Sequence, residues 1–253
     1  EAVHEIRGWH DLRRRLADDR RCFAYFHPAL PEEPLIFVEV ALTRGIATAV
    51  QPLLDITSLD RGADDADTAI FYSISNCQTG LDGISFGNFL IKQVVDHLSR
   101  ELPQLKTFAT LSPIPGFATW LAELSERETD TVPVEALQLI DEGRFPTEPA
   151  AEERLKAALI PLCARYLIQE KRDGLPIDPV ARFHLGNGSS IEQINWLADR
   201  SENGLRNYAG VMVNFLYEKS RIVENHEAYS SQGEVAVSAK VRKLLTSRLS
   251  AVS

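Results

Sequence analysis

One segment, residues 68–98, constrains the fold more than any other part of the sequence. Its first part, residues 69–75, is largely apolar, which is typical of a buried strand. The glycine loop QTGLDG follows, and apolar residues then recur at four-residue steps from Phe86 to Leu102. That spacing predicts a long amphipathic helix. The segment is therefore expected to form a strand, a tight loop and a helix in direct succession.

Further strands and helices are expected on both sides of this segment. The first twenty residues indicate a surface helix, followed by an antiparallel pair of strands whose turn is PALPEEP, since prolines disfavour a central ladder. Later in the chain the sequence predicts the strands KTFATL, VARFHL and GVMVNFLYE and three helices, which carry Trp120, residues 150–171 and Val241. Strands and helices that mix without strict alternation indicate an α+β fold with a mixed, largely antiparallel sheet flanked by helices. We expect a single domain over residues 1–253.

Composition argues against several classes of protein. The chain has 36 acidic and 27 basic residues and a net charge of −9, which is unlike a non-specific nucleic-acid binder. Its three cysteines form no C-x-x-C pair, so neither a disulfide framework nor a zinc ribbon is indicated. No stretch approaches the roughly 20 apolar residues of a membrane helix, and the histidines lack metal-ligand spacing. We therefore expect no nucleic-acid, membrane or metal partner.

The glycine loop has features of an anion-binding site. A strand that turns directly into a helix places unpaired backbone N–H groups at the partly positive end of the helix. Gly80 and Gly83 lack a Cβ, so the backbone can approach a diphosphate closely. The spacing differs from the P-loop and from the dinucleotide fingerprint. Two readings stay open: the loop holds a pyrophosphate such as that of coenzyme A, or the glycines only form a tight turn.

Four blocks taken together resemble a known family. They are AIFYSIS with QTGLDGISFGNFLIK, then LSPIPGF, LCARYLIQEKRDGLPIDPVARFHLGNGS and HEAYSSQGEV. In this order they resemble the catalytic domain of malonyl-CoA decarboxylases, enzymes of GNAT-like fold that act in fatty acid metabolism. The similarity begins near Val3 and covers nearly the whole chain. The family also carries a helical N-terminal domain, which is missing here, and a homo-oligomer is expected to form through it. Since the sequence starts without Met, we expect a piece of a longer protein.

The resemblance implies a set of site residues. Ser112 and His184 take the places of the catalytic serine and histidine, and Tyr229 matches a tyrosine of the same active site. Ser85 stands where the family pattern has an acid. The expected substrate-binding residues are Gln78, Gly80, Asp82, Gly83, Ile84, Ser85, Phe86, Gly87 and Asn88.

The implied reaction converts malonyl-CoA to acetyl-CoA and carbon dioxide, and it requires donors for a thioester enolate. With an ordinary pKa of about 6.5, the His184 imidazole is expected to protonate the α-carbon. Pro113 stiffens the backbone of Ser112, whose held hydroxyl is expected to bond the malonyl carboxylate or the thioester oxygen. The segment HLGNGSS indicates a turn that positions His184 or contacts ligand. Each residue also has a purely structural explanation: a histidine bonded within a strand, a serine that ends one, and a half-buried tyrosine.

Two other functions remain open at this point. A GNAT-type acyltransferase would add an acceptor site with a general base, and a non-enzymatic acyl-CoA sensor would keep the glycine loop without needing Ser112 or His184. The resemblance implies no metal, biotin or flavin, because the coenzyme A thioester is the substrate itself. It also implies a cytoplasmic location for a bacterial protein, and a mitochondrial or peroxisomal one for a eukaryotic protein.

Overall fold

The structure is a computed structural model that describes residues 8–55, 57, 62–77 and 87–246, with the backbone alone at residues 76 and 87–90. The helices are α1 Trp9–Arg15, α2 Gln51–Leu54, α3 Gly87–Glu101, α4 Phe117–Arg127, α5 Val134–Glu142, α6 Pro149–Ile168, α7 Pro179–Gly186, α8 Glu202–Tyr208, α9 Ile222–Gln232 and α10 Ala239–Thr246. The strands are β1 Arg20–His27, β2 Leu30–Thr43, β3 Thr68–Asn76, β4 Thr107–Thr110, β5 Lys171–Arg172, β6 Leu175–Pro176, β7 Ser190–Asn195 and β8 Met212–Leu216.

Six strands form one sheet in the order β1-β2-β3-β4-β8-β7, and β5 and β6 form a separate small hairpin. Strands β1 and β2, β2 and β3, and β4 and β8 pair antiparallel, whereas β3 and β4 pair parallel. The predicted α+β fold with a mixed, largely antiparallel sheet flanked by helices is therefore confirmed. No helix within the described ranges is long and apolar enough to cross a membrane.

The chain forms two compact units. The first comprises Glu1–Ser112 and Leu216–Ser220, and the second comprises Pro113–Phe215 and Arg221–Ser253. The single domain expected from the sequence stays a prediction.

Helix α3 in the first unit has the apolar face that its sequence predicts. Ile91, Val94, Val95 and Leu98 are buried, while the His97 ring lies edge-on to Phe23 of β1. Burying side chains at this spacing stabilises a helix mainly through its packing. The predicted amphipathic helix is confirmed.

Helix α1 forms where a surface helix was expected, but part of it is buried. The Arg15 guanidinium lies 2.8 Å from the Glu39 carboxylate of β2, with the two side chains 2% and 1% exposed. Arg14 is also buried and donates to Asp19 at 2.9 Å. Buried charges persist when they are paired and hydrogen-bonded, so these ion pairs attach α1 to the strands.

The hairpin between β1 and β2 corrects a second expectation. The pair is antiparallel as predicted, but β2 already begins at Leu30, so most of PALPEEP is strand rather than turn. The register shifts at Phe26, which pairs with Pro34, and these end residues are exposed or half-buried. Proline is tolerated at such an irregular, exposed end because no ladder hydrogen bond there depends on its missing N–H.

Candidate active site

His184 lies on helix α7, where a strand was predicted over VARFHL; that prediction was wrong. The Asp178 side chain accepts a hydrogen bond from the Ala181 N–H at 2.7 Å, and Pro179 occupies the first helical position. An aspartate N-cap followed by proline is a standard helix start, so the sequence contained a signal that outweighed the apolar pattern.

The His184 ring is buried between aromatic rings. It is 3% exposed, stacks on Phe215 with centroids 4.6 Å apart, and meets Phe183 edge-on at 5.0 Å. Burial lowers the pKa of His184 to about 3, well below the ordinary value of about 6.5. At neutral pH the free protein therefore holds a neutral imidazole, which offers one N–H donor and one acceptor nitrogen.

The turn after His184 is held by helix α9. Gly188 has a φ of +81°, and a Cβ there would lie 2.1 Å from the Ile222 carbonyl oxygen. Asn225 donates to the Gly188 carbonyl at 3.2 Å. His226 Nδ1 lies 2.7 Å from the Gly186 carbonyl, and because a carbonyl only accepts, this nitrogen carries the proton. The predicted turn is confirmed, and α9 fixes its position.

Tyr229 lies on α9 in the same unit as His184. Its side chain is 6% exposed, and a Cβ on Gly186 would lie 3.7 Å from its ring. Burial raises the pKa of Tyr229, with Arg182 opposing the shift. Among the residues that the structure describes, none accepts or donates a hydrogen bond at its hydroxyl. A buried hydroxyl of this kind can donate one hydrogen bond and accept others.

Ser112 belongs to the first unit, whereas His184 and Tyr229 belong to the second. It follows β4 by two residues and is buried. Its hydroxyl donates to Thr110 Oγ1 at 2.8 Å, which orients this side chain.

Most of the expected acyl-CoA loop lies outside the described residues. This applies to Gln78, Gly80, Asp82, Gly83, Ile84, Ser85 and Phe86. Gly87 and Asn88 begin helix α3, and β3 ends at Asn76, so the strand before the loop and the helix after it are both present. The ligand role of the loop stays a prediction.

Within the described part of the chain, no group of three or more His, Cys, Asp and Glu side chains is arranged to hold a metal ion. The expectation that the reaction uses no metal, biotin or flavin remains a prediction.

Comparison with known proteins gives a consistent picture. The family model for the malonyl-CoA decarboxylase C-terminal domain matches residues 1–253. The mitochondrial malonyl-CoA decarboxylase of Anser anser anser is 38% identical over 95% of this chain and 53% of its own length. The corresponding protein of Rattus norvegicus is 35% identical over 97% of this chain and 55% of its own length. The chain thus spans about half the length of the curated relatives it matches.

Two crystal structures are also similar over most of the chain. Malonyl-CoA decarboxylase from Rhodopseudomonas palustris is 50% identical, with a TM-score of 0.87, over 95% of this chain and 60% of that one. The enzyme from Agrobacterium vitis is 53% identical, with a TM-score of 0.89, and the match covers 96% of this chain and 61% of that one.

Proposed function

Because the chain belongs to the family of malonyl-CoA decarboxylase C-terminal domains, we propose that it is a carboxy-lyase that converts malonyl-CoA to acetyl-CoA and carbon dioxide. The observation that carries this proposal is the family match over residues 1–253. Identities of 46% to 53% with three bacterial malonyl-CoA decarboxylases support it. The proposal concerns the reaction alone, since the chain spans only part of those proteins.

The reaction breaks the bond between the α-carbon and the carboxylate. The electron pair moves into the thioester carbonyl as an enolate, and a proton then adds to the α-carbon. One proton is consumed for each carbon dioxide released. The site must therefore supply hydrogen-bond donors to the enolate oxygen and a proton to carbon.

His184 supplies the proton in this proposal. Its pKa of about 3 in the free protein reflects burial, so the imidazolium would be a strong acid. A malonyl carboxylate close by would favour the charged ring. Carbon dioxide leaves as a neutral molecule, so the negative charge passes to the enolate, and transfer of the imidazolium proton to the α-carbon neutralises both groups. His184 would thus take up a proton when substrate binds and release it to the α-carbon when the enolate forms.

Tyr229 and Ser112 supply donors in the proposal. The Tyr229 hydroxyl has no protein partner among the described residues, so it can donate to the thioester oxygen without breaking a bond to one of them. The Ser112 hydroxyl would turn from Thr110 to the malonyl carboxylate or the thioester oxygen and orient the breaking bond. The loop before α3 would bind the acyl-CoA, and no metal, biotin or flavin takes part.

The test measures acetyl-CoA, carbon dioxide and proton uptake with malonyl-CoA as the substrate. His184→Asn and Ser112→Ala should each lower kcat by about a hundredfold or more, the usual scale for acid–base and oxyanion groups. His10→Asn, a change at an exposed histidine of α1, is the matched control and should leave turnover unchanged. Malonyl-CoA that binds without turnover would favour the sensor, and acyl transfer to an amine would favour the acyltransferase.

The location is a separate part of the proposal. The relatives from Anser anser anser and Rattus norvegicus are named as mitochondrial proteins, at 38% and 35% identity. Identities with the bacterial proteins are higher, at 46% to 53%. The higher identities support a bacterial-type protein, for which we propose a cytoplasmic location that cell fractionation would test. Assembly into a homo-oligomer stays a prediction.

A further inference from the structure

Two buried polar side chains, Tyr166 and Asp178, lie with Gly116 in the unit that contains His184, and the roles proposed above do not use them. The three residues of this cluster come from three separate parts of the chain. Gly116 belongs to the proline turn that follows Ser112, Tyr166 belongs to α6, and Asp178 caps α7.

Tyr166 rests directly on the backbone of Gly116. A Cβ added to Gly116 would lie 2.3 Å from the Tyr166 hydroxyl oxygen and 3.5 Å from the ring carbon that bears it. The Tyr166 ring also packs on Phe117 and Trp120 of α4, with centroids 5.7 and 5.3 Å away. A side chain at residue 116 would therefore force the tyrosine hydroxyl, and with it a ring packed between Phe117 and Trp120, to shift.

Asp178 sits at the start of the helix that carries His184. It is 1% exposed, and its Oδ1 accepts the Ala181 N–H at 2.7 Å. Keeping a carboxylate this deeply buried is costly, so its retention needs a reason beyond packing.

Tyr166 and Asp178 act on each other electrostatically. Burial raises the pKa of Asp178 to about 6, while the backbone N–H groups of Ala181 and Val180, the charge of Arg182 and the side-chain hydroxyl of Tyr166 oppose the rise. Burial and then the Asp178 charge raise the pKa of Tyr166. The two side chains therefore form one electrostatic unit between α6 and the start of α7.

We infer that Tyr166 and Asp178 are positioning residues for the proposed reaction, and the inference rests on that proposed function. Tyr166 holds the turn after Ser112 through Gly116, and Asp178 fixes the first turn of the helix that carries His184. Loss of this cap leaves an unpaired N–H in the first turn of α7, the eight-residue helix that carries His184. Misplacement of a catalytic group by about 1 Å can lower turnover by about a hundredfold.

The test compares kcat and KM for malonyl-CoA in substituted full chains, corrected for the folded fraction. Asp178→Ala removes the cap and should lower kcat by about tenfold or more with little change in KM. Asp178→Asn keeps an oxygen that accepts the Ala181 N–H and should retain kcat within about threefold. Ser201→Ala is the matched control, because Ser201 caps α8 in the same unit by accepting the Gly204 N–H at 3.0 Å. It should lower stability and leave kcat unchanged.

A second comparison tests the contact with Gly116. Gly116→Ala should lower kcat by about tenfold or more, because the new methyl group overlaps the tyrosine hydroxyl. In the double variant Gly116→Ala/Tyr166→Phe that oxygen is gone, and kcat should return to within about threefold of Tyr166→Phe alone. Such coupling supports a specific contact rather than general loss of structure.

The outcomes separate this inference from the proposed function. If the unsubstituted chain releases no acetyl-CoA from malonyl-CoA, the proposed function is wrong and the inference falls with it. If that chain is active but Asp178→Ala keeps its kcat, or Ser201→Ala loses as much, the cluster is only structural. Additive effects of Gly116→Ala and Tyr166→Phe would also overturn the inference.

Discussion

Burial of His184 makes a quantitative prediction about acid stability. The pKa of His184 is about 3 in the folded chain and about 6.5 in an unfolded one, so the unfolded chain binds more protons between these values. Acid therefore favours unfolding, and this contribution is absent above about pH 7 and grows as pH falls below 6.5. At about pH 5 it amounts to roughly 2 kcal/mol, from about 1.4 kcal/mol per pH unit over 1.5 units.

Substitution of the histidine isolates this contribution from those of other groups. The free energy of unfolding of the wild-type chain minus that of His184→Gln should fall by about 2 kcal/mol between about pH 7.5 and pH 5. Urea titrations followed by tryptophan fluorescence measure it, because Trp120 and Trp196 lie in the same unit as His184. His10→Gln is the matched control at an exposed site, where a surface substitution should change the free energy of unfolding by no more than about 0.5 kcal/mol.

The result does not depend on the exact folded pKa, since any value below about 4.5 gives nearly the same change at pH 5. A difference that stays constant within about 0.5 kcal/mol would mean that His184 titrates alike in both states. Such a result would show that burial does not hold the His184 imidazole neutral in the folded chain.

Two further predictions concern structure that supports the site and the first unit. Gly188→Ala should lower the free energy of unfolding by about 3 kcal/mol or more, because the methyl group meets the Ile222 carbonyl. Gly174 has the same φ of +81° but open space around it, so Gly174→Ala should lower the free energy of unfolding by only about 1–2 kcal/mol. Equal losses in the two variants would contradict the steric explanation. Arg15→Met should lower the free energy of unfolding by about 3–5 kcal/mol, because it leaves the Glu39 carboxylate buried without this partner. The double variant Arg15→Met/Glu39→Leu should lose less than half as much, as measured by urea unfolding. A double variant no more stable than Arg15→Met would refute the pairing explanation.

Local patterns in the sequence predicted much of the fold. The spacing of Val94 and Leu98 predicted helix α3, and the apolar runs predicted β3, β4 and β8, because periodicity reports which face of an element is buried. Four sequence blocks were enough to predict the family. The strand predicted over residues 180–185 was wrong because apolar content was weighed above the Asp178–Pro179 helix start.

The properties that matter for chemistry came from packing between distant residues. The sequence determined which elements form and which family the chain resembles, since both depend on local order along the chain. Only the tertiary structure set Phe215 against His184 and lowered its pKa, left the Tyr229 hydroxyl without a partner among the described residues, and brought Tyr166 onto Gly116. Burial removes water from a group, and the extent of burial depends on residues that the local sequence does not contain.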